Sequence, residues 1–206
     1  MAETDRKRHW EGVYQRLEAD QVSWYQAKPH LSLSLIAHAQ IPMDAPIIDV
    51  GGGASLLIDY LLALGYQDLT ELDVSRAALD QVAARMAGQA TGVVFIEADV
   101  TRFEPDRQYR LWHDRAAFHF LTCEKDRRSY VRILGKALLS GGDLVLAAFA
   151  PGGPKKCSGL EIVQYDAEKL GAELGKDFEL QEWRTQKHVT PAGGEQLFNF
   201  FRYKRR

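Results

Sequence analysis

Four aspartates stand where four apolar runs of the chain end, and the first of them leads into a turn of three glycines. They are Asp49, Asp73, Asp99 and Asp114, and the glycine turn lies in IIDVGGGASLL, residues 47–57. Glycine tolerates positive φ and lets other atoms come close to the backbone. Carboxylates accept hydrogen bonds, and an acid about 20 residues after such a turn binds ribose in nucleotide sites. The pattern favours a bound nucleoside, with a tight turn that holds no ligand as the alternative.

Two phosphate-binding fingerprints can be tested on this turn. Gly51 and Gly53 fit the first two positions of G-x-G-x-x-G, but Leu56 stands at the third. That third glycine permits close helix-to-strand packing beside a pyrophosphate, so its absence argues against NAD and FAD. No Gly-Lys-Ser or Gly-Lys-Thr follows the turn, which argues against a P-loop. We therefore expect a nucleoside without a phosphate chain.

Strands that alternate with helices must hold these residues. The runs APIIDV, LTELDV, GVVFIEADV, YRLWHDRAAF and DLVLAAFA predict five strands. Alternation of this kind is typical of a parallel sheet covered on both faces, with ligands at the carboxyl ends of the strands. The last two runs, FELQEWRTQKHV and QLFNFFRYK, are joined by a short loop and are expected to pair antiparallel. The predicted fold class is α/β: a Rossmann-like, doubly wound, mostly parallel sheet with a C-terminal antiparallel hairpin strand.

Helix boundaries are predicted from capping residues. We expect one amphipathic helix over residues 5–20 and another over SRAALDQVAARMA, with Ser75 as its N-cap and Gly88 beyond its end. The stretch CEKDRRSYVRILGKALL predicts a helix that the Gly141–Gly142 turn ends.

Composition bounds the class of protein. The chain has 206 residues, 46% of them hydrophobic and 26% charged, and a net charge of −2. These values favour a single domain over residues 1–206 and give no reason to expect nucleic acid. The N-terminal stretch lacks the apolar core of a signal peptide, and no run approaches about 18 apolar residues. Because of these two observations we expect a cytoplasmic protein without a membrane partner. Cys123 and Cys157 lack metal-ligand spacing, so we expect no metal site.

Several of these stretches resemble motifs of the class I S-adenosylmethionine-dependent methyltransferases, over residues 45–203. IIDVGGGAS is similar to the first motif, LDVS to the second, EADV to the third and LLSGGDLVL to a late turn into a strand. HWEGVYQRL followed by VSWYQ resembles a narrower methyltransferase-like group, which includes lysine methyltransferases of elongation factors and citrate synthase. The resemblance implies an enzyme that uses S-adenosylmethionine to methylate an acceptor.

The resemblance also implies a role for each matching residue, with Ser55 as a departure where many members have glycine. The implied cofactor-binding residues are Asp49, Gly51 and Gly53 at the methionine part, Asp73 at the ribose hydroxyls, Val74 against the adenine, Asp99 at the adenine amino group and Val100 beside it.

Aromatic residues crowd the N-terminal segment, where Trp10, Tyr14, Trp24 and Tyr25 occur. Aromatic faces attract cations such as a sulfonium. We therefore expect residues 1–40 to form a helical and aromatic lid over the cofactor, with Trp24 or Tyr25 near the methyl group. A helix that only packs on the body through its aromatic stripe is the alternative.

Methyl transfer depends mainly on placing the acceptor in line with the methyl group, and a base is needed only if the acceptor arrives protonated. Candidate catalytic groups follow the fourth strand, in HDRAAFHF. Asp114 is the first candidate and Arg115 and His119 come next, while His113 is expected on the opposite side of the strand. A core position between two phenylalanines is the alternative for His119.

The acceptor itself stays open. Compact size and near-neutral charge favour a small molecule, with a protein lysine as the alternative. A non-catalytic nucleoside-binding module on the same fold is an alternative from another class, and so is an NAD-dependent oxidoreductase, against which Leu56 and the terminal hairpin count. The roles of Cys157 and His188 and the oligomeric state do not follow from the sequence.

Overall fold

The computed structural model describes residues 3–86 and 92–206, and within them the chain forms six α-helices and nine strands. The helices are α1 (Glu3–Tyr14), α2 (His30–His38), α3 (Leu57–Ala63), α4 (Arg76–Arg85), α5 (Glu124–Ala137) and α6 (Ala167–Leu174). The strands are β1 (Ile47–Val50), β2 (Leu69–Asp73), β3 (Val93–Glu97), β4 (Tyr109–Arg115), β5 (Leu138–Phe149), β6 (Lys156–Cys157), β7 (Leu160–Glu161), β8 (Phe178–Val189) and β9 (Glu195–Arg205). Single 3₁₀ turns lie at Ala19–Gln21 and Phe118–Phe120.

Seven of the strands form one sheet in the order β3-β2-β1-β4-β5-β9-β8. The pairs from β3 to β5 are parallel, and β9 pairs antiparallel with both β5 and β8. The two remaining strands, β6 and β7, form a small separate hairpin. The predicted fold class is therefore confirmed, including the antiparallel strands at the C-terminal side.

Apolar side chains cover both faces of the sheet. Leu111 and Trp112 are neighbours in β4 that point to opposite faces, and both are fully buried. Leu111 belongs to a cluster with residues of α2, α3 and α4, whereas Trp112 belongs to one with residues of α5 and α6. The sheet is thus sandwiched between two helical layers, which leaves its strand ends as the place for a ligand site.

The Gly141–Gly142 pair lies inside a strand. The helix α5 ends at Ala137, and β5 begins with the next residue and runs through both glycines. Gly141 has a φ of 74°, and the pairing of β4 with β5 shifts its register between Tyr109 and Leu111. The predicted helix end was wrong because a glycine with positive φ also occurs where a strand departs from regular pairing, as well as at helix stops.

The N-terminal segment also differs from its prediction. The helix expected over residues 5–20 is α1, which ends at Tyr14, followed by a separate 3₁₀ turn. Ser75 caps α4 as predicted, since its hydroxyl accepts a hydrogen bond from the backbone N–H of Ala78 at 3.2 Å. Gly88 lies outside the described residues.

Across residues 3–86 and 92–206, none of the helices has both the length and the apolar character needed to cross a membrane.

Candidate active site

A cavity lies at the carboxyl ends of β1, β2 and β4, with side chains of α1 on one wall. It encloses about 910 Å³ of empty space, which includes its mouth. Seven of the eight residues predicted to bind the cofactor line it: Trp24, Asp49, Gly51, Asp73, Val74, Asp99 and Val100. The eighth, Gly53, donates its backbone N–H to Asp73 Oδ2 at 3.0 Å. The fold groups them because parallel strands end at one edge of the sheet.

The glycine turn after β1 is in close contact with two other parts of the chain. Gly51 and Gly53 both have a φ of 63°, a conformation that side chains rarely adopt. A Cβ added to Gly51 would lie 2.4 Å from Ala117 Cβ, and one added to Gly53 would lie 2.0 Å from Tyr14 Oη. Glycine is therefore required both by the backbone conformation and by the approach of α1 and of the loop after β4.

Asp73 is a buried carboxylate at the end of β2. Its two oxygens accept the backbone N–H groups of Gly53 at 3.0 Å and of Ser75 at 2.8 Å. Burial raises the pKa of Asp73 to about 6, against the effect of these donors, and the nearby Asp49 adds to the rise. Each oxygen keeps a further lone pair with which it can accept a hydroxyl group of a ligand.

Asp49 lies in register between Glu71 of β2 and His113 of β4, so the three side chains share one face of the sheet. His113 Nδ1 is 2.6 Å from Asp49 Oδ1, and its Nε2 is 2.9 Å from Ser32 Oγ. His113 also lines the cavity. His113 lies on the opposite side of the strand from Asp114, as expected. It is nevertheless the His113 side that faces the cavity, because β4 pairs with β1 so that residue 113 shares the face of Asp49.

Glu71 is a buried carboxyl that the sequence analysis missed. It is 1% exposed, and neither of its oxygens has a hydrogen-bond partner in the described part of the chain. A Cβ on Gly52 would lie 1.8 Å from Glu71 Oε1 and 2.8 Å from Asp49 Oδ2. Burial, and then the charges of Asp49 and Asp73, raise the pKa of Glu71 well above its usual range. Its spacing of two from Asp73 was the available signal, since alternate residues of a strand share a face.

Asp99 joins the cavity to α1. Its Oδ1 accepts the N–H and hydroxyl of Thr101, at 2.9 and 2.7 Å, and its Oδ2 accepts Arg6 Nε and Nη2, at 3.0 and 2.8 Å. Burial acts to raise the pKa of Asp99, but these donors outweigh it, so the pKa lies below its usual value. Arg6 Nη1 also donates to Asp126 Oδ2 at 2.6 Å. Because a carboxylate has about four acceptor sites, Asp99 is fully used in holding Arg6 and Thr101.

Four aromatic rings form a wall of the cavity. The Trp10 ring centroid is 5.6 Å from that of Trp24 and 4.9 Å from that of Phe120, both in edge-to-face geometry. The rings of Tyr14 and Trp24 are 6.3 Å apart. The wall joins α1 to the loop before α2 and to the loop after β4, so three distant parts of the sequence enclose the same space.

Asp114 points away from the cavity. Its carboxylate accepts the backbone N–H of Ala117 at 2.9 Å, the backbone N–H of Phe118 at 3.1 Å and the hydroxyl of Tyr130 at 2.7 Å. Burial raises the pKa of Asp114 to about 6. Asp114 pairs with Val50, the residue after Asp49, so its side chain is on the α5 face of the sheet and does not line the cavity. Its observed contacts hold the loop after β4 against α5.

His119 is also absent from the lining of the cavity. It is fully buried, its ring centroid is 4.9 Å from that of Phe149, and its Nδ1 accepts the Phe149 N–H at 3.4 Å. Burial, with the nearby Arg115 charge, lowers the pKa of His119 to about 3, so the ring is neutral. These contacts match the alternative of a core histidine. Of the three predicted catalytic residues, Arg115 is the one that lines the cavity.

The cavity includes side chains that the sequence analysis did not single out, above all Arg6 and Phe120. Arg6, Trp10 and Tyr14 recur every fourth residue and therefore share one face of α1. This spacing was the available signal for Arg6. Phe120 gave no such signal, because its position depends on the 3₁₀ turn after β4.

Comparison with known proteins agrees with this architecture. The model of the methyltransferase domain family matches residues 47–142, which include β1 to β4, α5 and the glycine turn. A S-adenosylmethionine-dependent methyltransferase from Anabaena variabilis shares the fold, with a TM-score of 0.77 and 15% identity over 99% of this chain and 95% of that one. The N-methyltransferase NodS from Bradyrhizobium japonicum, solved with S-adenosylhomocysteine, gives a TM-score of 0.70 and 14% identity over 96% and 98%.

Fold and strand-end cavity define the class I methyltransferase architecture. The family match identifies a methyltransferase domain within residues 47–142, and the fold around it is shared with solved S-adenosylmethionine-dependent methyltransferases. Both findings agree with the predicted enzyme class and cofactor.

Relatives among characterised proteins are more distant. The eEF1A lysine and N-terminal methyltransferase of Bos taurus is 24% identical over 149 residues, and that of Homo sapiens is 22% identical over 149 residues. Each alignment covers 69% of this chain and 21% of the relative. The chain thus spans about a fifth of the length of the curated relatives it matches.

Proposed function

We propose that the protein transfers the methyl group of S-adenosylmethionine to a small-molecule acceptor. The enclosure of the cavity is the observation that supports a small-molecule acceptor. The aromatic wall closes one side, and on α1 His9 Nε2 lies 3.4 Å from Ser158 Oγ in the turn between β6 and β7. An acceptor must enter past these elements, which suits a compact molecule better than a folded protein.

The residues of the cavity fit the cofactor. A bare turn with positive φ lets the methionine part approach the backbone of Gly51, and the free lone pairs of Asp73 suit the ribose hydroxyls. Val74 and Val100 offer apolar contact for the adenine. Because Asp99 is saturated by Arg6 and Thr101, we assign it the role of holding α1 at the adenine end rather than of accepting the adenine amino group.

Positioning carries most of the catalysis in this proposal. When bound, S-adenosylmethionine supplies an electrophilic methyl group, and holding the two reactants in line can contribute on the order of 7–11 kcal/mol. Burial raises the pKa of the Cys157 thiol to about 11, so this thiol is not a base at neutral pH. Both ring nitrogens of His113 are engaged, by Asp49 and Ser32. We therefore assign His113 to orienting Asp49 rather than to proton transfer.

We also propose that residues 1–40 act as a lid on one domain spanning residues 1–206. Arg6, Trp10 and Tyr14 put one face of α1 on the cavity, and Trp24 follows in the next loop. Such a lid excludes water and completes the site when it closes. A cytoplasmic location is part of the proposal, and the two free cysteines, Cys123 and Cys157, support a reducing compartment.

The test is calorimetry followed by a transfer assay. Purified protein is titrated with S-adenosylmethionine and S-adenosylhomocysteine, and both are expected to bind. The protein is then incubated with tritium-labelled S-adenosylmethionine and a cell extract that has been separated into small-molecule and protein fractions. Label is expected in the small-molecule fraction and absent with Asp73→Ala. Cofactor binding without transfer to either fraction would instead favour the non-catalytic module.

A protein lysine acceptor is the second candidate, because the matched relatives are named as eEF1A methyltransferases. Purified eEF1A is therefore added as a separate acceptor in the same assay. Label on eEF1A, with none in the small-molecule fraction, would overturn the small-molecule proposal and establish the alternative.

A further inference from the structure

Arg115, the last residue of β4, is a half-buried cation without a counter-ion among residues 3–86 and 92–206. Its Nη2 donates to the backbone carbonyl of Trp24 at 2.5 Å, and its Nε is buried without a partner. No carboxylate within residues 3–86 and 92–206 forms an ion pair with it. Arg6, by contrast, is buried at the same cavity and is paired with Asp99 and Asp126. An arginine has five donors, so Arg115 retains enough of them for a two-point contact.

The surroundings of Arg115 do not neutralise it. Burial lowers the pKa of Arg115 to about 10, which leaves it charged at neutral pH. Asp49, the carboxylate whose charge acts on Arg115, is already in contact with His113. Burial also lowers the pKa of His188 and raises that of the Cys157 thiol, so both of these neighbours are uncharged. A charge partly withdrawn from water is costly unless it is paired, and the buried Nε has no partner, which points to a ligand as the missing anion.

Arg115 stands at the junction of two cavities. Together with Trp24 and Ser55 it lines both the cofactor cavity and a smaller, shallow one, whose empty space of about 290 Å³ includes its open mouth. The smaller cavity is otherwise mostly apolar, with Val22, Pro29 and Leu56 among its walls. Among its described lining residues, Arg115 is the one that carries a charge. The guanidinium carbon lies 5.5 Å from the centre of the Phe198 ring, a distance at which a cation interacts with an aromatic face.

We propose that Arg115 binds a carboxylate of the methyl acceptor, and that this acceptor is an apolar carboxylic acid whose carboxylate reaches Arg115 where the two cavities meet. The proposal rests on the proposed methyltransferase function and specifies its substrate class. An arginine fork matches the geometry of a carboxylate, and the apolar walls suit the rest of such a molecule. A cationic lysine side chain would meet repulsion from Arg115 at the same place.

The cofactor carries a carboxylate too, on its methionine part, and is the second source of the same chemistry. Two titrations distinguish the sources. S-adenosylhomocysteine has this carboxylate, whereas 5′-methylthioadenosine lacks it. If Arg115 binds the acceptor, Arg115→Gln leaves the affinity for both compounds within about twofold of wild type. A loss confined to S-adenosylhomocysteine would assign Arg115 to the cofactor and overturn the proposal.

The acceptor arm uses benzoate as the probe carboxylate, benzamide as its neutral isostere and benzylammonium as a cation. Each is titrated by calorimetry into protein saturated with S-adenosylhomocysteine. Benzoate is expected to bind, and benzamide and benzylammonium about 10- to 100-fold more weakly, because a charge-assisted contact is lost. Arg115→Gln should weaken benzoate by the same factor, and Arg115→Lys by less, since it keeps the charge but not the fork.

Arg128→Gln is the matched control, because Arg128 is exposed on α5 and paired with Glu124. It should leave benzoate binding unchanged. If Arg115→Gln fails to fold, Arg115→Lys with the three probes gives the same comparison. Equal binding of benzoate and benzamide, or no benzoate binding at about 10 mM, would overturn the proposal. No binding of S-adenosylhomocysteine by the wild type would instead overturn the proposed function, and benzoate binding to the cofactor-free protein would then still test Arg115.

Discussion

Replacing Asp73 by asparagine should stabilise the protein and weaken cofactor binding at the same time. Asp73 is 6% exposed, and burial raises the pKa of its carboxyl from 3.8 to about 6. At about 1.36 kcal/mol for each unit of pKa, the ionised form destabilises the folded state by about 3 kcal/mol at neutral pH. Asparagine removes this charge. Its single carbonyl oxygen can accept only one of the two backbone N–H groups that Asp73 accepts, which costs about 1 kcal/mol.

The sign of the pH dependence follows from proton binding. Between pH 3.8 and about 6 the folded state holds a proton on Asp73 that the unfolded state has released. The wild type therefore loses stability as pH rises through this window, and the variant does not. Asp73→Asn should be more stable than wild type by about 2 kcal/mol near pH 7, with no advantage near pH 4.

Urea unfolding followed by tryptophan fluorescence measures the stability at both pH values, and calorimetry measures the affinity for S-adenosylmethionine. The affinity should fall about 10- to 100-fold, because a charge-assisted contact to the ribose is lost. Asp166→Asn is the control: Asp166 accepts a backbone N–H of α6 at 2.8 Å but is exposed, and asparagine caps helices equally well. A variant less stable than wild type at neutral pH, or a stability difference that does not change with pH, would refute the reasoning.

Three other changes test the contacts around the site. Gly53→Ala should destabilise the protein by about 2 kcal/mol or more in urea unfolding, because its Cβ would meet a tyrosine hydroxyl of α1. Gly65→Ala is the control: its Cβ would meet open space, so it should show only the strain of positive φ, about 1 kcal/mol. Equal losses of stability in the two variants would contradict the contact at Gly53. Tyr130→Phe should cost about 1.5–3 kcal/mol, because the buried Asp114 carboxylate loses a donor, and unchanged unfolding would count against that bond. Deleting residues 1–26 should abolish turnover, and it should weaken the binding of S-adenosylmethionine more than that of S-adenosylhomocysteine, because only the former carries a cation for the aromatic faces. Circular dichroism checks that the remainder is folded. Unchanged binding and activity would show that the segment only packs on the outside of the protein.

The order of helices and strands could be predicted from the sequence. Apolar runs that end in Asp49 and Asp73, with helical periodicity between them, are local patterns, and local patterns decide which segments become strands. The glycine pair in β5 shows the limit of this reasoning. Gly141 allows positive φ either after a helix or at an irregular point of a strand, and only the pairing of β5 with β4 selects the second.

The sequence by itself determined that the strand-end residues Asp49, Asp73 and Asp99 would converge, because parallel strands place their carboxyl ends at one edge. Only the tertiary structure decided which neighbouring side chains face the cavity. The register of β4 against β1 puts His113 on the face of Asp49 and Asp114 on the opposite face. A shift of one residue exchanges the two faces of a strand, and the sequence alone does not fix that register. Packing of α1 brings Arg6 to Asp99 across 93 residues, a contact that no local pattern encodes.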